Sequence, residues 1–407
     1  MTNGQIVNID LVKQVNAAIV YRLIDQQGPI SRIQIAESSQ LAPASVTKIT
    51  RQLLEHGLIR EEALQESTGG RRAISLMAER QAFQFISCRL GRHALHLGLY
   101  NLDASELARE EIPLTEREAM PVVQQLIASM DAFRARHQSQ IRRLIALAVT
   151  LPGLVNPETG DVLYTPTLSL AGIPLARYLQ EHFGLPAYVG NDTRGLALAE
   201  HFFGNSMDCE DSILISVHNG TGAGIISRGK VLIGHNRNVG EIGHIQVERF
   251  GKRCQCGNYG CLETIAANAA IVARCKEWLQ QGHASVLQAD IEQLTIERIC
   301  QAAHDGDRMA GALIEEVAEY LGRTIAIMIN LFNPEKILIA GEIMGADNVL
   351  LPAVRRCIEH QSLPSFHQDL PIVAARFQSQ PAMGGVAMVK RALLEGDLLQ
   401  RLMEHVV

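Results

Sequence analysis

Apolar residues recur at helical spacing over the first sixty positions, and breakers cut that pattern into three pieces. In "NAAIVYRLIDQQGPISRIQIAESSQLAPASVTKITRQLLEHGLI", residues 16–59, Ile19, Leu23 and Ile24 share one face of a first helix that Gly28 and Pro29 end. Ser31 is placed to cap a second helix through Ile33, Ile35 and Ala36. After the Leu41-Ala42 turn a third helix is predicted from about Pro43 to His56, with Val46, Ile49, Leu53 and Leu54 facing inward. Beyond Gly57 comes a strand, then the polar tip "QESTGGRRA", then a second strand over Ala73–Met77. Three helices with tight turns and a following hairpin predict a winged helix-turn-helix over residues 1–82.

After residue 82 strands alternate with helices. "FQFISCRLGRHALHLGLYNLD" reads as two strands about a Gly turn, and "RLIALAVTLPGLVNPETG" and "PAYVGND" each supply a buried strand running into a loop. "SILISVHNGTGAGIISRGKVLIG" and "KILIAGEIMG" repeat the theme. Two comparable halves imply an α/β body of two lobes with a cleft between them: 83–195, on which 385–407 packs back, and 196–384 with the oligomerisation surface. Ligands in such folds gather at strand ends. "NGTGAG", residues 219–224, reads as a loop whose N–H groups can approach an anion.

Composition narrows the function. The 407 residues are 47% hydrophobic and 20% charged, with no leader pattern and no apolar run of membrane-spanning length, so a cytoplasmic protein is expected. A net charge of −6 argues against polyanion binding over the whole surface. The charge is uneven: residues 1–82 carry nine basic against eight acidic side chains, and 83–407 carry 28 against 35. A basic face on the N-terminal part therefore remains. Ala44, Ser45, Thr47, Lys48 and Arg51, on the outward face of the third helix, are small and donor-rich, as groove entry requires. Ser31 and Arg32 at the start of the second helix, and Arg71 and Arg72 in the wing, complete the candidate DNA contacts. The bland alternative is a packing module whose arginines merely solvate a surface.

Three of the eight cysteines fall in "CQCGNYGC", residues 254–261. In a reducing compartment such a cluster is metal-binding or redox-active more readily than disulfide-bonded. Cys88, Cys209, Cys275, Cys300 and Cys357 are scattered, as small buried hydrophobes would be.

"VGEIGHIQVERFGKRCQCGNYGCLETIAA", residues 239–267, resembles the signature of the ROK family, bacterial repressors and sugar kinases that share an actin-like, hexokinase-like fold. The resemblance covers essentially the whole chain, because the family's repressors carry an N-terminal winged helix that its kinases lack. It implies one structural zinc ion, held by His244, Cys254, Cys256 and Cys261, with all four positions filled by protein. It also implies that Glu241, His244 and Glu263, with Asn191 and Asp192, grip sugar hydroxyls. Gly153 and the loop residues Gly220, Thr221 and Gly222 join that effector set.

The departures from the kinases are equally informative. Where they carry a D-x-G-x-T turn that holds the metal-nucleotide, this chain has "RLGRH", residues 89–93, with Arg89 in place of the acid. Glu342 in "AGEIMG" stands where the kinases prefer Gly. No catalytic residue is therefore assigned, and Arg89 becomes a candidate contact for a phosphate on the ligand. The expected protein is a homo-oligomeric (dimer or tetramer) repressor of amino-sugar genes, released from operator DNA by a sugar phosphate. Resemblance to the amino-sugar branch of the repressors implies N-acetylglucosamine 6-phosphate. The rivals are a ROK sugar kinase with a regulatory domain, and a repressor induced by a sugar-transporter protein domain.

Overall fold

The structure, a computed structural model, describes residues 9–63, 74–235 and 238–404. It comprises two compact units, residues 1–190 with 385–407, and residues 191–384. The second unit thus begins at Asn191, a few residues before the boundary expected after residue 195.

The first unit opens with helix Ile9–Gln27, the two-residue strand Ile30–Ser31, and helices Arg32–Ser39 and Pro43–Glu55. Strands Ile59–Ala63 and Ile74–Ala78 follow, paired antiparallel from Ile59 opposite Ala78 to Ala63 opposite Ile74. Ile30–Ser31 pairs on the other side of Ile74–Ala78, closing a three-stranded sheet. This is the expected winged helix, with one shift. The first helix starts at Ile9, and it buries Val20, Tyr21 and Ile24, while Ile19 and Leu23 lie only partly covered. Arg71 and Arg72 lie outside the described residues.

The body of the first unit is a five-stranded sheet in the spatial order Ala187–Asn191, Leu144–Leu151, Gln84–Leu90, Ala94–Asn101, Glu106–Pro113. Its central strand Gln84–Leu90 pairs antiparallel with Ala94–Asn101 and parallel with Leu144–Leu151. The second unit repeats the plan in the order Lys230–Val231, Thr221–Ser227, Ser212–Val217, Lys336–Ala340, Ile372–Ala374. There Ser212–Val217 is central, antiparallel to Thr221–Ser227 and parallel to Lys336–Ala340. Both central strands are buried along nearly their whole length; Ser212–Val217 reads as a largely apolar run, whereas Gln84–Leu90 carries Gln84, Ser87 and Arg89 among its apolar residues. Helix Arg308–Phe332, capped at Asp307 by a bond from the Ala310 N–H, supplies much of the second core. No helix among the described residues is long and apolar enough to cross a membrane.

Helix Met383–Glu395 returns the chain to the first unit. It docks without room to spare: a Cβ on Gly385 would stand 2.2 Å from Ser87 Oγ and 3.0 Å from Ala148 Cβ, both on sheet strands. Gly385→Ala should therefore destabilise the chain by about 1–3 kcal/mol, the ordinary penalty for overpacking, as measured by chemical denaturation.

Candidate functional site

The nucleic-acid face is built first by what the reader domain hides. On Pro43–Glu55, Val46, Thr50 and Leu53 are buried, while Ala44, Ser45, Thr47, Lys48 and Arg51 are exposed along one side. Pro43 occupies the first turn, where its missing N–H is not needed. Two expected contacts have structural employment. Ser31 forms a capping box with Gln34, accepting from the Gln34 N–H while Gln34 Oε1 accepts from the Ser31 N–H at 3.0 Å. Arg32 donates to Thr50 Oγ1 at 3.1 Å and to Glu61 Oε1 at 2.9 Å, tying the second helix to the third and to the wing strand. Thr47 donates to Pro43 O at 2.8 Å within its own helix. Arg51 lies 3.8 Å from Glu55, an exposed pair worth little.

In the second unit, His244, Cys254, Cys256 and Cys261 bring four ligand atoms within 4.8 Å of one another. His244 Nδ1 lies 3.6 Å from Cys254 Sγ, and Cys256 Sγ 3.7 Å from Cys261 Sγ. Metal bonds of about 2.3 Å to sulfur and about 2.1 Å to nitrogen place tetrahedral corners about 3.8 Å and about 3.6 Å apart. The cluster therefore fits a small tetrahedral ion. The loop turns sharply at Gly260, where φ is +68° and a Cβ would stand 1.7 Å from Glu248 O, so only glycine fits. Burial raises the Cys254 thiol and pushes Cys261 up to about 12, whereas a bond from the Asn258 N–H lowers Cys256.

The same loop positions two carboxylates. Glu241 precedes the single 3-10 turn Ile242–His244, and Glu263 opens the short helix Glu263–Ala266 just after Cys261. Glu263 Oε2 accepts from the Thr221 N–H at 3.3 Å. Desolvation raises the Glu241 carboxyl, against the pull of His244 and Arg194. Gly240 and Gly243 let this turn press against the strand Thr221–Ser227: Cβ atoms there would stand 1.9 Å from Ala223 O and 2.3 Å from Thr221 O. Asn191 Oδ1 caps helix Asp192–Phe203 through the Arg194 N–H at 2.9 Å, which holds Asp192 in the first turn. Arg89 and Gly153 belong to the first unit. Arg89 sits on strand Gln84–Leu90, its Nη1 3.4 Å from where a Gly91 Cβ would be.

One expectation gives way to a different arrangement. The run 219–224 is mostly ladder: from Thr221 onward it pairs with Ser212–Val217, and the Thr221 N–H is given to Glu263. What looked like an anion cradle is a hairpin tip flanked by acids. On its other side His218 Nδ1 lies 2.7 Å from Glu342 Oε2, which also accepts from Asn268 Nδ2 at 2.8 Å. Burial alone would raise Glu342, but His218 and Asn268 outweigh it and hold the carboxyl at about 2. His218 and Asn268 were missed in the sequence, where only adjacency to the Gly-rich run could have flagged His218. Two buried polar atoms near this tip, Thr221 Oγ1 and Asn268 Oδ1, have no protein hydrogen-bond partner.

Comparison with known proteins gives consistent matches. The ROK family profile matches residues 85–392, and the MarR family profile matches residues 20–67. The chain is 56% identical to the DNA-binding transcriptional dual regulator NagC of Escherichia coli strain K12, covering 100% of both. It is equally similar, 56% over 100% of both chains, to the N-acetylglucosamine repressor of Shigella flexneri. Among solved structures it resembles a ROK family transcriptional regulator described as a homolog of the E. coli MLC protein. That match has a TM-score of 0.92 and 47% identity, over 97% of this chain and 100% of the other.

Elemental analysis of the purified protein should find one divalent ion per chain. Cys261→Ser should lose it to a chelator at concentrations the parent withstands, and a metal-free parent would refute the assignment. A second expectation concerns acid. Glu342 sits at about 2, below its ordinary 4.5, so its contribution to stability is complete above about pH 4.5 and is lost as pH falls through about 2. Glu342→Gln should flatten the decline in urea-unfolding stability across that window.

Proposed function

The chain belongs to the ROK family, and from that premise we infer how its two working surfaces cooperate. It is a sugar-responsive transcriptional repressor, a MarR-type winged helix joined to a ROK body of hexokinase-like fold, and a regulator rather than an enzyme. The observation that carries the mechanism is the exposed row Ala44, Ser45, Thr47, Lys48 and Arg51 on a helix whose opposite face is buried. Ser45 and Thr47 read base edges in an operator's major groove, Lys48 and Arg51 take phosphates, and Arg71 and Arg72 reach the backbone or minor groove. Ser31 and Arg32 set the angle of that helix through the bonds described above. Operators with paired half-sites would be bound by a homo-oligomer.

The effector is N-acetylglucosamine 6-phosphate. Support comes from end-to-end similarity to a protein named for N-acetylglucosamine and from the chemistry of the second unit. Asp192, Glu241 and Glu263 are acceptors for ring hydroxyls, the Asn191 amide and His244 Nε2 are donors, and Thr221 Oγ1 has a hydrogen bond left to make. Zinc is the ion that suits three thiolates and an imidazole with no open position. When bound it supplies structure and no chemistry. His244 then spends Nδ1 on the metal, which fixes Nε2 as a donor toward the ligand. The ionised carboxylate of Glu342 beside the hairpin tip makes it a poor seat for a nucleotide phosphate, which weighs against the kinase reading.

The test is fluorescence anisotropy on DNA selected by the parent from a random library. Lys48→Ala should weaken binding and reduce the salt slope by about 1. Asp192→Asn keeps the oxygen that accepts from Thr193 and should bind DNA like the parent, yet need at least about tenfold more N-acetylglucosamine 6-phosphate for release. Release of both proteins at one concentration would place the effector elsewhere, and ATP-dependent phosphorylation of N-acetylglucosamine would overturn the regulator reading.

A further inference from the structure

Within the first unit, one helix touches both the body sheet and the reader domain. Met383–Glu395 presses on the central strands through Gly385, and Met388 Sδ lies 2.9 Å from where a Cβ of Gly190 would be. Gly190 belongs to strand Ala187–Asn191 and immediately precedes Asn191 and Asp192, two of the assigned effector residues. Two positions beyond Met388, Lys390 is 9% exposed, and its Nζ lies 2.6 Å from Oδ2 of Asp25, itself 8% exposed, on the first reader helix. Arg80, in the segment leaving the wing, donates to Asp25 Oδ1 at 3.2 Å and also to its backbone carbonyl. Arg22 of the same reader helix donates to Leu394 O at 2.9 Å. Past Glu395, a Cβ on Gly396 would stand 3.1 Å from Ala18 Cβ, again on that helix.

A buried ion pair is a weak way to gain stability, because each charge is stripped of water. Apolar side chains of the same size would hold the two helices together as well. What the pair adds is geometry: an ammonium and a carboxylate sealed from water tolerate few relative positions, whereas apolar surfaces can slide. We propose that Lys390 and Asp25 are the positioning pair through which helix Met383–Glu395 sets the reader domain for operator binding and conveys the state of the effector site to it. The proposal rests on the effector reading above. The route is short: strand end at Gly190, Met388, two residues along the same helix to Lys390, then Asp25. Met388 packs on the backbone of Gly190, where even a methyl group would crowd its sulfur, so a shift of the strand end is felt by the helix, and the charge pair carries that shift across.

Removing one partner alone would strand a buried charge and threaten the fold, so the informative protein is the full chain carrying Asp25→Asn and Lys390→Met together. Asn preserves the bonds from Arg80, and Met matches the volume of Lys. The quantity to measure is the ratio of operator Kd with and without saturating N-acetylglucosamine 6-phosphate. In the double variant this ratio should fall at least about tenfold toward one, while affinity for the sugar phosphate itself stays within about threefold of the parent. A parental ratio in the double variant overturns the proposal. A second measurement needs no ligand: amide hydrogen exchange over Ile9–Gln27 should quicken in the double variant while Gln84–Leu90 keeps its protection. Unchanged exchange in the first helix overturns the proposal as well. Failure of the sugar phosphate to release the parent strikes the effector assignment alone and leaves the exchange result to decide the coupling.

Discussion

Three thiols and an imidazole within 4.8 Å of one another cannot be left to themselves. As thiolates they repel; as thiols, with burial holding Cys261 near 12, they offer weak hydrogen bonds and little else to fix a loop. A divalent cation resolves the conflict, because it favours the thiolate form and draws all four donors to one point. Protein bonds also tie the loop, from the Val247 and Glu248 N–H groups to Gly260 O, from the Leu262 N–H to Ile245 O, and to neighbouring helices from Lys252 to Glu277 and from Tyr320 to Glu248. Its two ends set Glu241 and Glu263, which face the sugar hydroxyls in the proposed site. In the proposed site, sugar recognition would therefore lean in part on a metal that touches no sugar.

Much of this was legible in the chain. Local period and punctuation suffice for the reader helices, for the alternating strands of the body and for the Cys₃His set, since each signal lies within a few dozen residues. The failures have one physical origin. Val20 and Tyr21 displaced Ile19 and Leu23 from the inner face because the first helix packs on two sides, against its own domain and against the C-terminal helices, and only one of those partners is near in sequence. The bonds of Arg32 within the domain were equally invisible, because Thr50 and Glu61, its partners, lie 18 and 29 residues away. The same holds for His218, whose partner Glu342 is 124 residues distant. Pairings made by tertiary closure leave no periodic trace.

The acids explain how a kinase-like body serves a sensor. In a fold that gathers ligands at strand ends, the residues at the tip of Ser212–Val217 decide what charge is welcome there. Glu342 is held ionised by His218 and Asn268, and Glu263 takes the Thr221 N–H that an anion would otherwise want. The ionised Glu342 disfavours an anion at this point and suits the hydroxyls of a ligand better than its phosphate. Retention of Asp192 in the first turn of its helix is compatible with either trade, because an acceptor that takes a proton in an enzyme only needs to accept a hydrogen bond in a receptor.

The small size of the reader domain bears on regulation. Its core includes Val20, Tyr21, Ile24, Ile30, Ile35, Val46, Leu53, Leu58, Ile59 and Leu76, a small set for a module that must hold a helix at a fixed angle to DNA. It leans instead on the C-terminal helices, through Ala18 against Gly396 and Asp25 against Lys390. A reader that stood alone would bind its half-site whatever the body was doing. One that borrows its rigidity from the body loses operator-competent geometry when the body shifts, and the buried charge pair makes that loan specific to one orientation. On the proposed coupling, the direction of the reader's response is set by where its support comes from, the C-terminal helices that hold Ala18 and Asp25.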